Sequence, residues 1–297
     1  MGNYARLRLG VQCRSDTFCP ACRVRISIGE PIYTCLTISG DDRSTFLQGQ
    51  LTQDVSSISV GSSAAAAWCS PKGRVIVTLR VLNLGDAFGL VMPVDSLDPV
   101  QRRLAMYRLR ANVEMNPDDR VISRAVPLAL LPEDPERRPI YVKLNQDTVE
   151  VHDLQDRWTA SGLDPDAGLD DAAWRAERIR SGLVDIGTDN TERYTPHMIN
   201  LDRTGYISFQ KGCYTGQEVV ARTEHLGRVK RRIQRFTCDA EGITPGDRLM
   251  AGEQEAGTVV NAAGGELLAL ASTSDLADDL TVNGVSAVRQ PLPYSLD

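Results

Sequence analysis

The sequence predicts an α+β protein: a mixed body over 31–235, a small β-barrel over 236–297, and an extension over 1–30. Three patterns carry this reading. Val75, Val77, Leu79 and Val81 alternate, turn through Asn83-Leu-Gly-Asp86 and return as Phe88-Gly-Leu-Val-Met92, which is a β-hairpin. Apolar residues at helical spacing over 95–108 and 171–181 read as two helices. Beyond 235, runs such as Ala256-Gly-Thr-Val-Val260 and Leu267-Leu-Ala-Leu270 are broken by Gly and Asp pairs, as in a small barrel.

Taken in order, Tyr33-Thr-Cys-Leu-Thr-Ile-Ser39 alternates as a strand with Leu36 and Ile38 on one face. Gly40 ends it, and Asp41 is placed to cap a helix carrying Phe46, Leu47 and Leu51. Gly49 sits inside that helical run, Phe46 to Val55. A helical glycine costs ~1 kcal/mol against alanine, so it suggests the close approach of a backbone or ligand. Ser70-Pro-Lys-Gly73 is a turn. The helix over 95–108 takes Ser96 or Asp95 as its cap and places Val100, Leu104 and Tyr107 on one side. Strands follow near 111–115, 121–131 and 140–151, separated by loops such as Leu131-Pro-Glu-Asp-Pro135. In the 171–181 helix, Asp170 and Asp171 suit the positive end, Arg178 and Arg180 the negative end, and Gly182 the position after it.

Composition narrows the function. With 42% hydrophobic and 24% charged residues the chain is ordinary for a globular protein, which excludes extensive disorder. No run approaches the ~18–20 apolar residues of a membrane span. The formal charge is −6, so any nucleic-acid surface must be a local patch. Seven cysteines, an odd number, argue against a secreted disulfide scaffold and for a reducing compartment. The first 30 residues carry Arg6, Arg8, Arg14, Arg23 and Arg25; they read as an extension without a fold role, or as an organelle transit peptide. The expected location is therefore the cytoplasm, with the mitochondrial matrix as the alternative. Cys19-Pro-Ala-Cys22 has no second close pair to complete a zinc site, and Cys35 lies in a strand. No residues are assigned to a metal.

The chemistry concentrates in Gln210-Lys-Gly-Cys-Tyr-Thr-Gly-Gln-Glu-Val-Val-Ala-Arg222. Thr215-x-x-Glu218 before Val219, Val220 and Ala221 has the form of a capping box opening a helix. Cys213 then lies near a helix N-terminus with Lys211 two residues away, and both would lower a thiol pKa. Gly212 and Gly216 leave the loop open to a ligand. Read from these residues alone, Cys213 is equally a loop cysteine whose neighbours serve turn geometry.

Lys211-Gly-Cys-Tyr-Thr-Gly-Gln-Glu218 resembles the signature of the YgfZ family, folate-binding relatives of the glycine-cleavage T-protein. Phe46-Leu-Gln-Gly-Gln-Leu-Thr-Gln-Asp-Val55, Asn200-Leu-Asp202, Gly205-Tyr-Ile-Ser-Phe-Gln210 and Arg222 to Arg232 are similar to the family as well, so the resemblance covers about 31–297. It implies a T-protein-like body of two subdomains arranged with the barrel around a folate-binding hole. It also implies tetrahydrofolate as cofactor, a role in assembly or repair of iron–sulfur client enzymes, and an indirect link to tRNA through one that modifies it. Cys213 and Lys211 become the functional pair, and Tyr214, Gly212, Gly216, Gln217, Glu218 and Arg222 join the folate-binding set. Two aromatic positions matter for the pterin: Trp174, 37 residues before Lys211, and Tyr33, seven before Gly40. The family's tryptophan at the second is tyrosine here, which keeps a stacking face but removes area. By pattern alone, Trp174 and Ile179 form a core-facing side of their helix.

Two other classes compete. A tetrahydrofolate-dependent aminomethyl or one-carbon transferase is the enzyme alternative, yet T-protein relatives carry Asp-Phe where this chain has Cys213-Tyr214. A zinc-stabilised nucleic-acid module built on Cys19 and Cys22 is opposed by the acidic pI near 5.2. Arg222, Arg228, Lys230, Arg231, Arg232 and Arg235 read as a solvated face at a domain junction, or as a patch for folate glutamate or RNA phosphate. His197 and His225 have no carboxylate or cysteine at metal-ligand spacing. The protein is expected to be a monomer with no membrane partner.

Overall fold

Three antiparallel sheets organise the chain, in a computed structural model that describes residues 33–118, 122–124, 139–144, 147–152, 171–227, 229–274 and 276–296. The expectations for residues 1–30, including Cys13, Cys19 and Cys22, lie outside the described residues, as does Arg228.

The first sheet contains β1 (Tyr33–Ser39), β2 (Ser63–Cys69), β3 (Val75–Asn83), β4 (Phe88–Pro93) and β5 (Glu114–Asp118), in the order β2-β3-β4-β1-β5. Its period-2 pattern feeds two cores. Ala66, Trp68, Val77 and Val81 pack with α1 (Arg43–Gln50) and α2 (Leu97–Ala105), while Ala65, Ala67, Cys69 and Val75 face the opposite cluster. Strands buried on both faces read as continuous apolar runs, which is why β2 and β3 show little polar alternation. In α2, Val100 and Leu104 are buried, and Tyr107 beyond it meets Trp68 edge-on at 5.8 Å.

The second sheet is β6 (Ile122–Arg124), β7 (Pro139–Leu144) and β8 (Asp147–His152), so the single strand expected near 140–151 is a hairpin. Next comes α3 (Asp171–Arg180). Gly182 follows it at φ 69°, with Gly182 N donating to Ile179 O and Leu183 N to Arg178 O. These two bonds satisfy carbonyls that the helix end leaves free.

The last six strands close a barrel in the order β10-β11-β12-β9-β14-β13: β9 (Arg231–Cys238), β10 (Arg248–Ala251), β11 (Gln254–Ala263), β12 (Glu266–Ser272), β13 (Leu280–Val282) and β14 (Val285–Gln290). The barrel begins at Arg231, ahead of the expected boundary at 236, because the basic residues of β9 pair into it. Along β12, Leu267, Ala269 and Ala271 fill the barrel, whereas Leu268 and Leu270 pack on the body. Among the described residues, no helix is long and apolar enough to cross a membrane.

Two sequence-based helix starts differ from the structure. Helix α1 begins after Asp42 with no side-chain cap, and Asp41 and Asp42 instead accept hydrogen bonds from Asn112. It also stops at Gln50, since Leu51 turns extended and pairs with Trp68. Ser96 precedes α2 without a capping bond, and Asp95 accepts from the backbone and hydroxyl of Thr188.

Candidate functional site

The signature segment forms a loop running into α4 (Gln217–Leu226). Its first residue, Lys211, is 8% exposed. The ammonium donates to three backbone carbonyls, those of Gln48 at 2.7 Å, Leu51 at 2.7 Å and Gln53 at 2.8 Å. The first belongs to the last turn of α1 and the second to the residue just after it, where orphan carbonyls and the helix dipole favour a cation. The Tyr214 ring covers the same ammonium, its centroid 5.1 Å from Nζ. Burial pulls the Lys211 pKa down to about 8, partly offset by Asp54. Lys211 was expected to act on the Cys213 thiol through its charge; its three donors are committed to the end of α1.

The other end of the loop is fixed by shape. Gly216, at φ 84°, is the residue before α4, and a Cβ there would run into Ser70 O. Gly73, in the Ser70–Gly73 turn, has φ 67° and would place a Cβ 2.6 Å from Cβ of Val219. The signature loop and the β2–β3 turn therefore interlock through two glycines. This displaces the expected capping box: Gly216 holds the cap position and Thr215 Oγ1 donates to Gln50 Oε1. Glu218, in place of capping, pairs with Arg222 at 3.1 Å on the exposed side of α4. The close approach expected at Gly49 is not found, since a Cβ there would meet nothing within 4 Å; its carbonyl accepts from Thr215 N.

Cys213 stands exposed between these anchors, beside an equally exposed Gly212. Cys35, Cys69 and Cys238 are buried, and burial pushes the Cys69 thiol up to about 12. Among these four, a thiol reagent near neutral pH is expected to modify Cys213 first. Peptide mapping of a partially labelled native sample checks this; earlier modification of a buried cysteine would contradict it.

A second cluster surrounds Tyr33. Its hydroxyl donates to Asp185, and its ring lies 5.8 Å from the Arg178 guanidinium. Arg178 Nε reaches both Asp185 oxygens at 3.1 Å, and Nη2 donates to Tyr206 Oη at 3.2 Å. Burial and the Asp185 carboxylate hold the Tyr33 phenol well above its usual value, against the pull of Arg178. Positions 174 and 178 are one turn apart on α3, so the helix that carries Trp174 is the one docked on Tyr33. The side chain of Trp174 lies outside the described residues.

The two clusters are joined by hydrogen bonds. Tyr206, which meets Arg178 through its hydroxyl, accepts from Thr52 Oγ1 at 2.6 Å through its carbonyl. Thr52 O accepts from Ser208 N, and Gln53 Nε2 donates to Gly205 O. Gln53 O in turn holds Lys211. Thus Gly205-Tyr-Ile-Ser208 bridges the aromatic cluster to the signature loop.

The structure divides the basic run: Arg222, Lys230 and Arg231 are exposed, as expected of a solvated face, while Arg232 and Arg235 are drawn into ion pairs. Arg232 is buried and bidentate to Asp202, both bonds 2.9 Å, and Arg235 grips Glu266. Arg231 donates to Leu270 O. Sequence spacing also missed His197, whose Nε2 lies 2.9 Å from Glu224 Oε2. His197, Asp202 and Glu224 bring ligand atoms within 4.8 Å of one another, but Arg232 and Arg203 already neutralise Asp202. Asp202 is thus held in structural ion pairs with the two arginines.

Compared with known proteins, the chain is 31% identical over 295 aligned residues to the tRNA-modifying protein YgfZ of Escherichia coli O6:K15:H31 (strain 536 / UPEC), covering 88% of this chain and 90% of that one. The chain belongs to the YgfZ family. The YgfZ of Shigella boydii serotype 18 (strain CDC 3083-94 / BS512) is 30% identical over the same length and coverage. No family model matches the chain. Among solved structures, the glycine cleavage system aminomethyltransferase T from Bartonella henselae superposes with a TM-score of 0.62 at 14% identity, covering 88% of this chain and 83% of that one. That likeness establishes the T-protein-like fold of this YgfZ relative.

Proposed function

We propose that this chain is a folate-binding accessory protein of the YgfZ type. It supports assembly or repair of iron–sulfur enzymes, including tRNA-modifying ones, with Cys213 as its working thiol. The observation that carries the reading is the placement of Cys213: an exposed free thiol on a loop anchored at both ends by buried groups. A thiolate is a nucleophile and a soft metal ligand, so a fixed, accessible one suits sulfur or metal chemistry. Tetrahydrofolate would be held by Trp174 and Tyr33 flanking the pterin, and Arg178 ties the helix of the first to the ring of the second. Bound folate would supply one-carbon chemistry or a redox-active pterin. The chain's part is to orient it and present the thiol.

The transferase alternative is disfavoured by one position. Cys213-Tyr214 replaces the Asp-Phe of the T-protein relatives, and an exposed thiol does not substitute for a carboxylate facing an amine. Cells that lack their own YgfZ test the reading. Expression of this chain is expected to restore the activity of an iron–sulfur tRNA-modifying enzyme. A well-expressed, folded chain that restores nothing would overturn it, and aminomethyl transfer to tetrahydrofolate by the purified protein would favour the alternative.

A further inference from the structure

We infer that Lys211 is a positioning residue, which acts on Cys213 by stapling the signature loop to the end of α1 rather than through charge on the sulfur. This rests on the reading of Cys213 given above. The argument begins with donors and acceptors. An ammonium has three N–H donors, and Lys211 meets three carbonyls at 2.7–2.8 Å from residues 48, 51 and 53. All three protons are used, and a buried polar group so saturated is fixed in place. Thr215 N on Gly49 O adds a fourth tie to residues 48–53, beyond the cysteine. Gly212 and Cys213, both exposed, lie between these ties and the Gly216 lock.

Backbone amide relaxation at Gly212 and Cys213 in the full chain reads this directly. The order parameter is expected to stay near about 0.85 in wild type and to fall toward about 0.6 in Lys211→Met. Lys211→Arg restores the charge, but a planar fork cannot aim three donors at carbonyls set around one point. It is expected to leave the loop loose and client support impaired. A rigid loop in Lys211→Met, or full rescue of client support by arginine, would overturn the proposal. Failure of the functional reading shows separately, as unimpaired support by Cys213→Ala.

Discussion

Alanine at Cys213 is expected to leave folding and folate binding unchanged and to abolish support of iron–sulfur client enzymes. The expectation of an intact fold follows from exposure. Cys213 fills no core space, and surface substitutions of that kind cost within ~0.5 kcal/mol. The expectation of intact folate binding follows from separation of roles, since the aromatic cluster at Tyr33 and α3 does not include the sulfur. What disappears is the accessible thiol, and Cys35, Cys69 and Cys238 are buried and cannot replace it. Client activity in cells without native YgfZ, compared between wild type and Cys213→Ala, gives the answer. Full rescue by the variant would reduce Cys213 to a loop residue.

The largest effect on stability is expected from Gly216→Ala, with Gly212→Ala as its matched control four residues earlier. At position 216 an L-residue must adopt φ 84°, which costs ~1–2 kcal/mol. Its Cβ must also displace the carbonyl of Ser70, a rigid backbone atom, and such overpacking costs ~1–3 kcal/mol more. Together these remove a large part of the ~5–15 kcal/mol that ordinarily holds a domain folded. A drop in melting temperature of roughly 5–15 °C is expected, at ~2–4 °C per kcal/mol for a chain of this size. At position 212 a Cβ meets nothing within 4 Å and φ is not positive, so the melting temperature is expected to stay put. Equal melting temperatures for the two variants would contradict the interlock between the signature loop and the β2–β3 turn.

Legibility in the sequence followed the range of the interactions. The β3–β4 hairpin, α2 and α3 were readable because each rests on periodicity and turn residues within its own stretch, down to Gly182 behind α3. The barrel was readable as a class for the same reason, but not its first strand. Arg231, Arg232 and Arg235 read as a solvated patch because Leu270, Asp202 and Glu266 lie about 30 or more residues away in sequence. Lys211 shows the same limit more sharply. Its three carbonyl partners are backbone atoms some 160 residues earlier, and backbone acceptors leave no mark in a sequence. The capping box at Thr215 and Glu218 was a local pattern overridden by tertiary packing, since Gly216 must pass under Ser70. The signature itself, by contrast, is a local run, Lys211 to Glu218, and is legible without any of these contacts.

Direct titration of the purified chain with tetrahydrofolate tests the account most simply. The account predicts saturable binding by calorimetry, retained in Cys213→Ala and weakened by at least ~1 kcal/mol in Trp174→Ala, the scale of one aromatic stack. A folded protein that shows no saturable binding, or one whose affinity is lost with Cys213 and untouched by Trp174→Ala, would contradict it.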